Sequence, residues 1–422
     1  MLLRFTDNLI MQLTRGCNLE CSYCFQGNKK GKNKRVTLEE FKNLVDTTLY
    51  ERCVLGSRDN YIEFHFHGGE VTLLGSDLII EMMEYLKMRS KYFRGIHISI
   101  QSNGILVDEK LARYLAENNI SLGFSFDGIV SDRCSVETSK KLLENMKRFH
   151  KDFGLKIGTL TTLSSKNVKT WFTETIPLLM EFSDGFGFNI ICTSPEDDDL
   201  IPDPKDLWEY VFLPILQTWL TDHPLRERAL VRVIESVLEE IIFNTQHERT
   251  WKTGCFNQQC GHLSNMVAVD PDMVLTGCDK YLEEGKYIKE VRETFEFNKK
   301  DFLGVKQLTK VFDFVKDLNN KRKSRGCMEC FAKESCPGEC QSYCLSKYGE
   351  VKTPSDDWCL LYKNTVQFVI ENWTKIIMNK CLTHDNLILG VKSDARLALD
   401  NENKELVINP NGTYGGKFKY DL

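Results

Sequence analysis

Residues 15–26, RGCNLECSYCFQ, set three cysteines at the spacing C-x3-C-x2-C. Thiolates bind soft metal centres, but zinc ribbons and closed iron–sulfur sites take four ligands. Three thiolates on a four-iron cube leave one iron open to a chelating small molecule; a three-cysteine zinc or structural site is the alternative. A second set is denser. Cys255, Cys260 and Cys278 precede CMECFAKESCPGEC, which holds Cys327, Cys330, Cys336 and Cys340, and Cys359 follows. Those eight thiols suffice for two four-cysteine sites, of iron–sulfur or zinc type. Asp279 directly follows Cys278 in GCDKY. A carboxylate beside an electron-accepting centre suits proton removal from a substrate radical that is losing an electron. Its other reading is a turn cap.

The composition frames these groups. Sixteen cysteines in 422 residues is a high count, and 60 acidic against 55 basic side chains give a net charge of −5. That balance points to neither a nucleic-acid surface nor an acidic tail. The N-terminus, MLLRFTDNLIMQL, has no uninterrupted apolar h-region, and no apolar run approaches the roughly 18 residues of a membrane span. A cytoplasmic chain without nucleic-acid or membrane partners is expected. There thiols stay reduced, and clustered cysteines read as metal ligands before disulfides.

The elements that must position these residues alternate. Short β-branched or aromatic runs occur at 9–14, 61–67, 95–101, 121–126, 156–163 and 186–192. Amphipathic stretches separate most of them, at 38–52, 77–90, 108–118, 136–151 and 168–182, and Thr37 with Glu40 forms a capping box before the first. Such alternation predicts a parallel sheet, open or barrel-like. SPEDDDLIPDP (194–204) reads as a linker, followed by helices at about 205–221 and 225–243. Beyond 250 cysteines crowd and strands are hard to read. The last stretch, 400–422, is polar and turn-rich, a hairpin or a loose end.

Four signals fall at the ends of four successive strands: Cys17, Cys21 and Cys24 after the first, Gly68-Gly69-Glu70 after the second, Gln101-Ser102-Asn103-Gly104 after the third and Asp127-Gly128 after the fourth. That edge of a parallel α/β sheet is where ligands bind. The glycines would let backbone come close to a bound molecule.

This arrangement resembles the radical SAM superfamily. The resemblance implies that the open iron binds the amino and carboxylate groups of S-adenosylmethionine (SAM), whose reductive cleavage yields a 5′-deoxyadenosyl radical that takes a hydrogen from the substrate. The later cysteines resemble the SPASM extension, which carries two auxiliary [4Fe–4S] clusters, making three with the SAM-binding one. By that resemblance one auxiliary cluster takes Cys255, Cys260, Cys278 and Cys340, and the other Cys327, Cys330, Cys336 and Cys359, with Cys344 competing with Cys340. The implied fold is α/β: a partial (β/α)6 TIM-like barrel over 1–200, a helical linker over 201–250, a loop-rich SPASM domain over 251–375 and a tail over 376–422. A family glycine five residues before Cys278 is replaced by Met273, so a different turn geometry is expected there.

Within SPASM enzymes the chain resembles anaerobic sulfatase maturases and their peptide-modifying relatives over most of residues 8–365, notably in QSNGILVDEKLARYLAENNISLGFSFDG. The resemblance implies SAM contacts from Tyr23, from His67, which stands where the family usually has Gln, from Gly68, Gly69 and Glu70 to the amino group, from Asn103, and from Ser125 with Arg133 to the carboxylate or ribose. Val71 replaces the usual Pro, and the segment that normally supplies the arginine is reduced to Ser131-Asp132-Arg133. Asp279 matches the maturases' acidic base.

Weaker features remain. The basic run 29–35 reads as a solvated loop or a contact for an acidic leader peptide. His65 and His67 share one strand face as core histidines, and Cys53, Cys134, Cys192, Cys344 and Cys381 read as free thiols. The substrate expected first is a ribosomally made peptide given a thioether, a carbon–carbon crosslink or an epimerised centre. The alternative is a sulfatase Cys or Ser oxidised to formylglycine, and a non-enzymatic redox-sensing module is a third reading. Met273 and the shortened arginine segment favour the first. The first strand begins near residue 9, so a leader-binding domain is expected on a separate protein. An electron donor such as flavodoxin or ferredoxin is a further expected partner.

Overall fold

The computed structural model describes residues 8–24, 26, 34–54, 62–91, 93, 95–191, 199–221, 266–273, 275–276, 278–279, 316–333, 336, 338–341, 344, 348, 350, 352–381, 397–400 and 405–408. Cys255, Cys260, the expected helix at 225–243 and most of the basic run lie outside them.

Six strands form at the expected places: β1 (Asn8–Gln12), β2 (Ile62–His67), β3 (Ile96–Ser102), β4 (Leu122–Ser125), β5 (Ile157–Leu163) and β6 (Gly185–Ile190). A seventh, β7 (Met266–Val269), runs parallel to β1 on its free side, and β8 (Leu275–Thr276) turns back antiparallel. The sheet order is β6-β5-β4-β3-β2-β1-β7-β8, with seven parallel strands. The sheet thus has one parallel strand more than the six expected. The four-residue run MVAV is too short to show a period, and its partner lies far away in sequence.

The alternation in β2 has a direct consequence. Ile62, Phe64 and Phe66 are fully buried, whereas Glu63, His65 and His67 share the other face, level with Ile10, Gln12 and Ser99 on neighbouring strands. One face of the sheet therefore packs under helices, with Phe66 against Phe41 at 5.7 Å, and the other is polar.

The covering helices are α1 (Leu38–Val54), α2 (Ser76–Ser90), α3 (Glu109–Glu117) and α4 (Val136–Phe153). The capping box forms: Thr37 N donates to Glu40 Oε2 at 2.8 Å, and Glu40 N to Thr37 Oγ1 at 3.2 Å. Asp108 and Ser135 cap α3 and α4, and Gly154 ends α4 in the left-handed conformation.

The expected helices at 168–182 and 205–221 are each broken. A π turn at Trp171–Thr175 leads into α5 (Ile176–Leu179). After α6 (Pro204–Leu207), a second π turn at Trp208–Phe212 leads into α7 (Leu213–Thr218). Pro177 and Pro214 each follow the end of a π turn by two residues. Proline lacks the N–H that the carbonyl four residues earlier would use, and the wider turn accommodates that loss.

Further on lie a helix at 316–324, a 3₁₀ turn at Cys327–Glu329 and a long helix at Asp356–Cys381. The tail contains an antiparallel pair, β9 (Leu397–Asp400) with β10 (Glu405–Ile408), beginning just ahead of the expected hairpin. Among the described residues no helix is long and apolar enough to cross a membrane.

Candidate active site

The C-terminal ends of β1, β2, β3 and β4 converge. Gly69 N donates to Thr14 O at 2.7 Å and Glu70 N to Gly16 O at 2.8 Å, so the loop after β2 is stitched to the approach to Cys17. A Cβ on Gly69 would lie 2.0 Å from the Gly16 carbonyl oxygen, and one on Gly68 2.8 Å from that of Thr14. The expected reason for the glycines was a close approach by a ligand. The close approach in the structure is made by the cysteine loop itself.

Glu70 is turned inward and buried. Its Oε1 accepts from Thr72 N at 3.0 Å, Thr72 Oγ1 at 2.6 Å and Ser102 Oγ at 2.7 Å, and its Oε2 from Asn103 N at 2.7 Å. Four donors use most of a carboxylate's accepting capacity. Glu70 therefore ties the β2 loop to the β3 loop. Asn103 continues the chain of contacts: its Nδ2 donates to Asn18 Oδ1 at 2.7 Å and lies 3.9 Å from the Cys17 sulfur.

On the other flank Asp127 is a hub. Tyr23 OH donates to its Oδ2, while Arg133 Nη2 at 3.1 Å and Thr162 N at 2.7 Å donate to its Oδ1. The Arg133 guanidinium lies 5.7 Å from the centre of the Tyr23 ring. Burial alone would lower the Arg133 pKa, but Asp127, Tyr23 and Cys21 together outweigh it and the net shift is upward. Burial, reinforced by Asp127 against the pull of Arg133, holds the Tyr23 phenol well above its usual value. Ser22 N donates to Asp132 O at 3.2 Å, so the shortened Ser131-Asp132-Arg133 segment still grips the cysteine loop.

Ser125 Oγ accepts from Gln101 Nε2 at 2.8 Å. His67 and His65 stack with ring centres 5.8 Å apart, and His65 Nδ1 shares a hydrogen bond with Ser99 Oγ.

Cys17, Cys21 and Cys24 are half-buried on this loop. Burial pushes the Cys21 thiol up to about 12, with Arg133 opposing and Cys24, Asp127 and Cys17 adding to the rise. Among the described residues no three His, Cys, Asp or Glu side chains converge as ligands of a single ion. Thiolates bound to different irons of a cube need no such convergence. Two buried polar atoms here have no protein partner, Gln26 Oε1 and Arg133 Nε. Three grouped thiols with two such atoms fit a site for an iron–sulfur cube and a polar ligand.

The second cysteine group is partly assembled. Burial lifts Cys336 to about 11, and Cys359 and Cys330 are close enough to add to it. Cys359 is likewise raised by burial, with Cys327 adding. These four neighbours are the set expected for the second auxiliary site. Cys340 is exposed and Cys344 buried one helical turn away, with Cys344 N donating to Cys340 O at 2.9 Å.

Cys278 is buried, and its Sγ donates to Asp279 Oδ1 at 3.3 Å. Thr276 pairs with Ala268, so β8 turns back antiparallel to β7 ahead of Cys278 and Asp279.

One expectation is corrected. The turn before Cys278 was to differ because Met273 replaces glycine. Met273 instead takes φ +61°, the conformation glycine favours, donates its N–H to Asp270 O at 2.9 Å and buries its side chain in the core. That burial offsets the roughly 1–2 kcal/mol that left-handed backbone costs an L-residue.

Asp127, given no role from the sequence, is the centre of one flank; its signal was an Asp-Gly at a strand end. Arg15 was also missed. It pairs with Asp270 at 2.5 Å and Asp272 at 2.7 Å.

Strand-end cysteines on a parallel half-barrel define the class. Residues 11–167 match the family model of the radical SAM superfamily, and the chain carries a radical SAM domain. It is an enzyme, and that domain implies SAM and a [4Fe–4S] cluster. It is similar to a cysteine-type anaerobic sulfatase-maturating enzyme of Clostridium perfringens, 25% identical over 363 residues, spanning 80% of this chain and 93% of the relative. Its fold is like that of native anSMEcpe, solved with bound AdoMet and Cp18Cys peptide, at a TM-score of 0.68 and 21% identity, covering 89% of this chain and 99% of the other. Streptococcus suis SuiB, solved bound to precursor peptide SuiA, matches at a TM-score of 0.58 and 15% identity over 84% of this chain and 76% of that one.

Proposed function

We propose that the chain oxidises a side chain of a peptide or protein substrate, with the radical made at the Cys17, Cys21 and Cys24 edge and the substrate proton taken by Asp279. When bound there, SAM and its cluster supply a hydrogen-abstracting radical. The protein's own part is positional. The stitch from Gly69 and Glu70 to Thr14 and Gly16 holds the cysteine loop, and the Tyr23, Asp127 and Arg133 flank leaves buried polar groups for the cofactor's polar end. His67, Asn103 and Ser125 belong to the same edge. Removal of a hydrogen atom, then a proton and an electron, oxidises the side chain by two electrons. Asp279 takes the proton; Cys278 would help hold an iron–sulfur centre able to accept the electron.

The observation that carries this reading is the Cys278 to Asp279 contact of 3.3 Å, which sets a carboxylate beside the thiol assigned to the first auxiliary site. Two auxiliary clusters complete it, one on Cys255, Cys260, Cys278 and Cys340, the other on Cys327, Cys330, Cys336 and Cys359. A low-potential carrier such as flavodoxin or ferredoxin supplies the first electron in the cytoplasm.

A sulfatase-type cysteine or serine is the favoured substrate: the oxidation turns serine into formylglycine directly, and cysteine into a thioaldehyde that water converts to formylglycine with release of hydrogen sulfide. The likeness to the Clostridium perfringens maturase supports it, and Met273, one of the two reasons for preferring a precursor peptide, loses its force now that its turn keeps the glycine conformation. A ribosomally made precursor is the second reading, supported by the shortened Ser131-Asp132-Arg133 segment.

The test is anaerobic reconstitution, with about 12 Fe expected per chain from three four-iron clusters. Incubation with SAM and a reductant follows, with a cysteine-bearing sulfatase peptide in one arm and precursor peptides encoded beside the gene in the other. Mass spectrometry should find an aldehyde in the first arm. Zinc at the later cysteines would remove the auxiliary clusters, and no change in either peptide would remove the substrate class.

A further inference from the structure

Arg15 stands two residues before Cys17, yet its guanidinium reaches the turn between β7 and β8, 255 residues away in sequence. There it meets Asp270, whose side chain is fully buried, and Asp272, which is half-exposed. Lys34 approaches Asp272 at 3.7 Å from the strand-like segment beside the cysteine loop. Two carboxylates thus face two cations across the junction of two chain segments, and one of the carboxylates is out of water. A buried carboxylate that loses its cation is left uncompensated, so this contact resists opening.

What the contact holds matters for the chemistry. The turn it grips is Asp270–Met273, with Met273 in the left-handed conformation and Asp272 N donating to Asp270 Oδ1 at 2.9 Å. From this turn β8 runs back with two residues paired to β7, and Cys278 and Asp279 follow directly. So short a strand fixes its own register weakly. Core burial of Val269, Met273 and Leu275 holds the arm from one side, and Arg15 supplies the polar anchor at the turn.

We infer that Arg15 is a positioning residue: it clamps the β7–β8 arm to the radical-generating loop and so sets where Cys278 and Asp279 stand relative to the Cys17, Cys21 and Cys24 site. This rests on the proposed role of Asp279. The clamp itself, however, is read by a measurement that does not involve that role.

The experiment compares Arg15→Met, which keeps the stem and removes the charge, with Arg15→Lys, which restores it, in anaerobically reconstituted holoenzyme with SAM. Hydrogen exchange over residues 266–276 should rise by about tenfold or more in Arg15→Met, while residues 96–102 stay as in wild type. Arg15→Lys should remain within about threefold of wild type. With the cysteine-bearing sulfatase peptide, product formed per 5′-deoxyadenosine released should fall in Arg15→Met and recover in Arg15→Lys. If Arg15→Met loses iron, Asp270→Asn, which lies off the cysteine loop and removes the buried charge of the pair, takes its place with the same expected rise in exchange. Unchanged exchange over 266–276, or an Arg15→Lys as loose as Arg15→Met, overturns the clamp. A wild type that makes no product from the peptide overturns the substrate reading and leaves the exchange contrast to decide the clamp.

Discussion

The two cysteine regions are built differently. At the sheet edge the Cys17, Cys21 and Cys24 loop is held by backbone bonds to Gly69 and Glu70, by the buried Glu70 carboxylate across Ser102 and Asn103, and by the Asp127 hub. Around Cys327, Cys330, Cys336 and Cys359 the polar supports are surface ion pairs, Arg325 with Asp356 and Lys321 with Glu350, and the mutual bonds of the Gln341 side chain with the Lys352 backbone, beside the buried Ala332 and Leu361. Exposed ion pairs contribute about 0–1 kcal/mol each. The first region is therefore shaped by the fold before any metal arrives; on the proposed function, the second leans more on its metal for shape.

The largest expected effect breaks the first region from inside. Gly69→Ala sets a methyl group 2.0 Å from the Gly16 carbonyl, and backbone cannot yield as a flexible side chain would. Both SAM cleavage and about a third of the iron should be lost, the share of one cluster in three. Iron staying at the wild-type level would show that the loop tolerates displacement.

Iron removal sharpens the contrast next. After chelation, hydrogen exchange over 327–359 should rise by about tenfold or more, while β1–β4 change little. Equal loosening of both regions would erase the distinction. Uptake of iron has a defined pH sign in both. Burial lifts Cys21 to about 12 and Cys336 to about 11, so each thiol is protonated at neutral pH and must release its proton to bind. Reconstitution should strengthen as pH rises from about 6.5 to 8.5, followed by iron absorbance.

Glu70→Gln is milder. An amide nitrogen replaces one accepting oxygen, facing a donor in a buried site, and should cost about 2 kcal/mol in thermal or denaturant unfolding. A neutral result would mean that Glu70 is not the tie between β2 and β3. Met273→Gly is smallest. It relieves left-handed strain of about 1–2 kcal/mol but gives up a buried side chain of about 1.5–3 kcal/mol, a net loss of about 1 kcal/mol.

The same contrast explains what could be read from the sequence. Period-two runs and strand-end cysteines are local patterns, so β1–β6 and the three-cysteine edge were legible. The inward turn of Glu70 was not, because Glu in a Gly-Gly-Glu loop reads equally well as a ligand contact. The bond from Arg15 to Asp270 joins residues with no local signal in common, and β7 shows itself only through its pairing with β1. Met273 carries its conformation in spite of its side chain, and residue type predicted the opposite.

The most direct test of the account follows one hydrogen and one proton. Holoenzyme is given SAM, reductant and the cysteine-bearing peptide deuterated at the side-chain carbon to be oxidised. Wild type and Asp279→Asn should both carry deuterium into 5′-deoxyadenosine, with product falling by about 100-fold or more in Asp279→Asn alone, as loss of a positioned base requires. Deuterium absent from wild-type 5′-deoxyadenosine, or full product yield from Asp279→Asn, would contradict it.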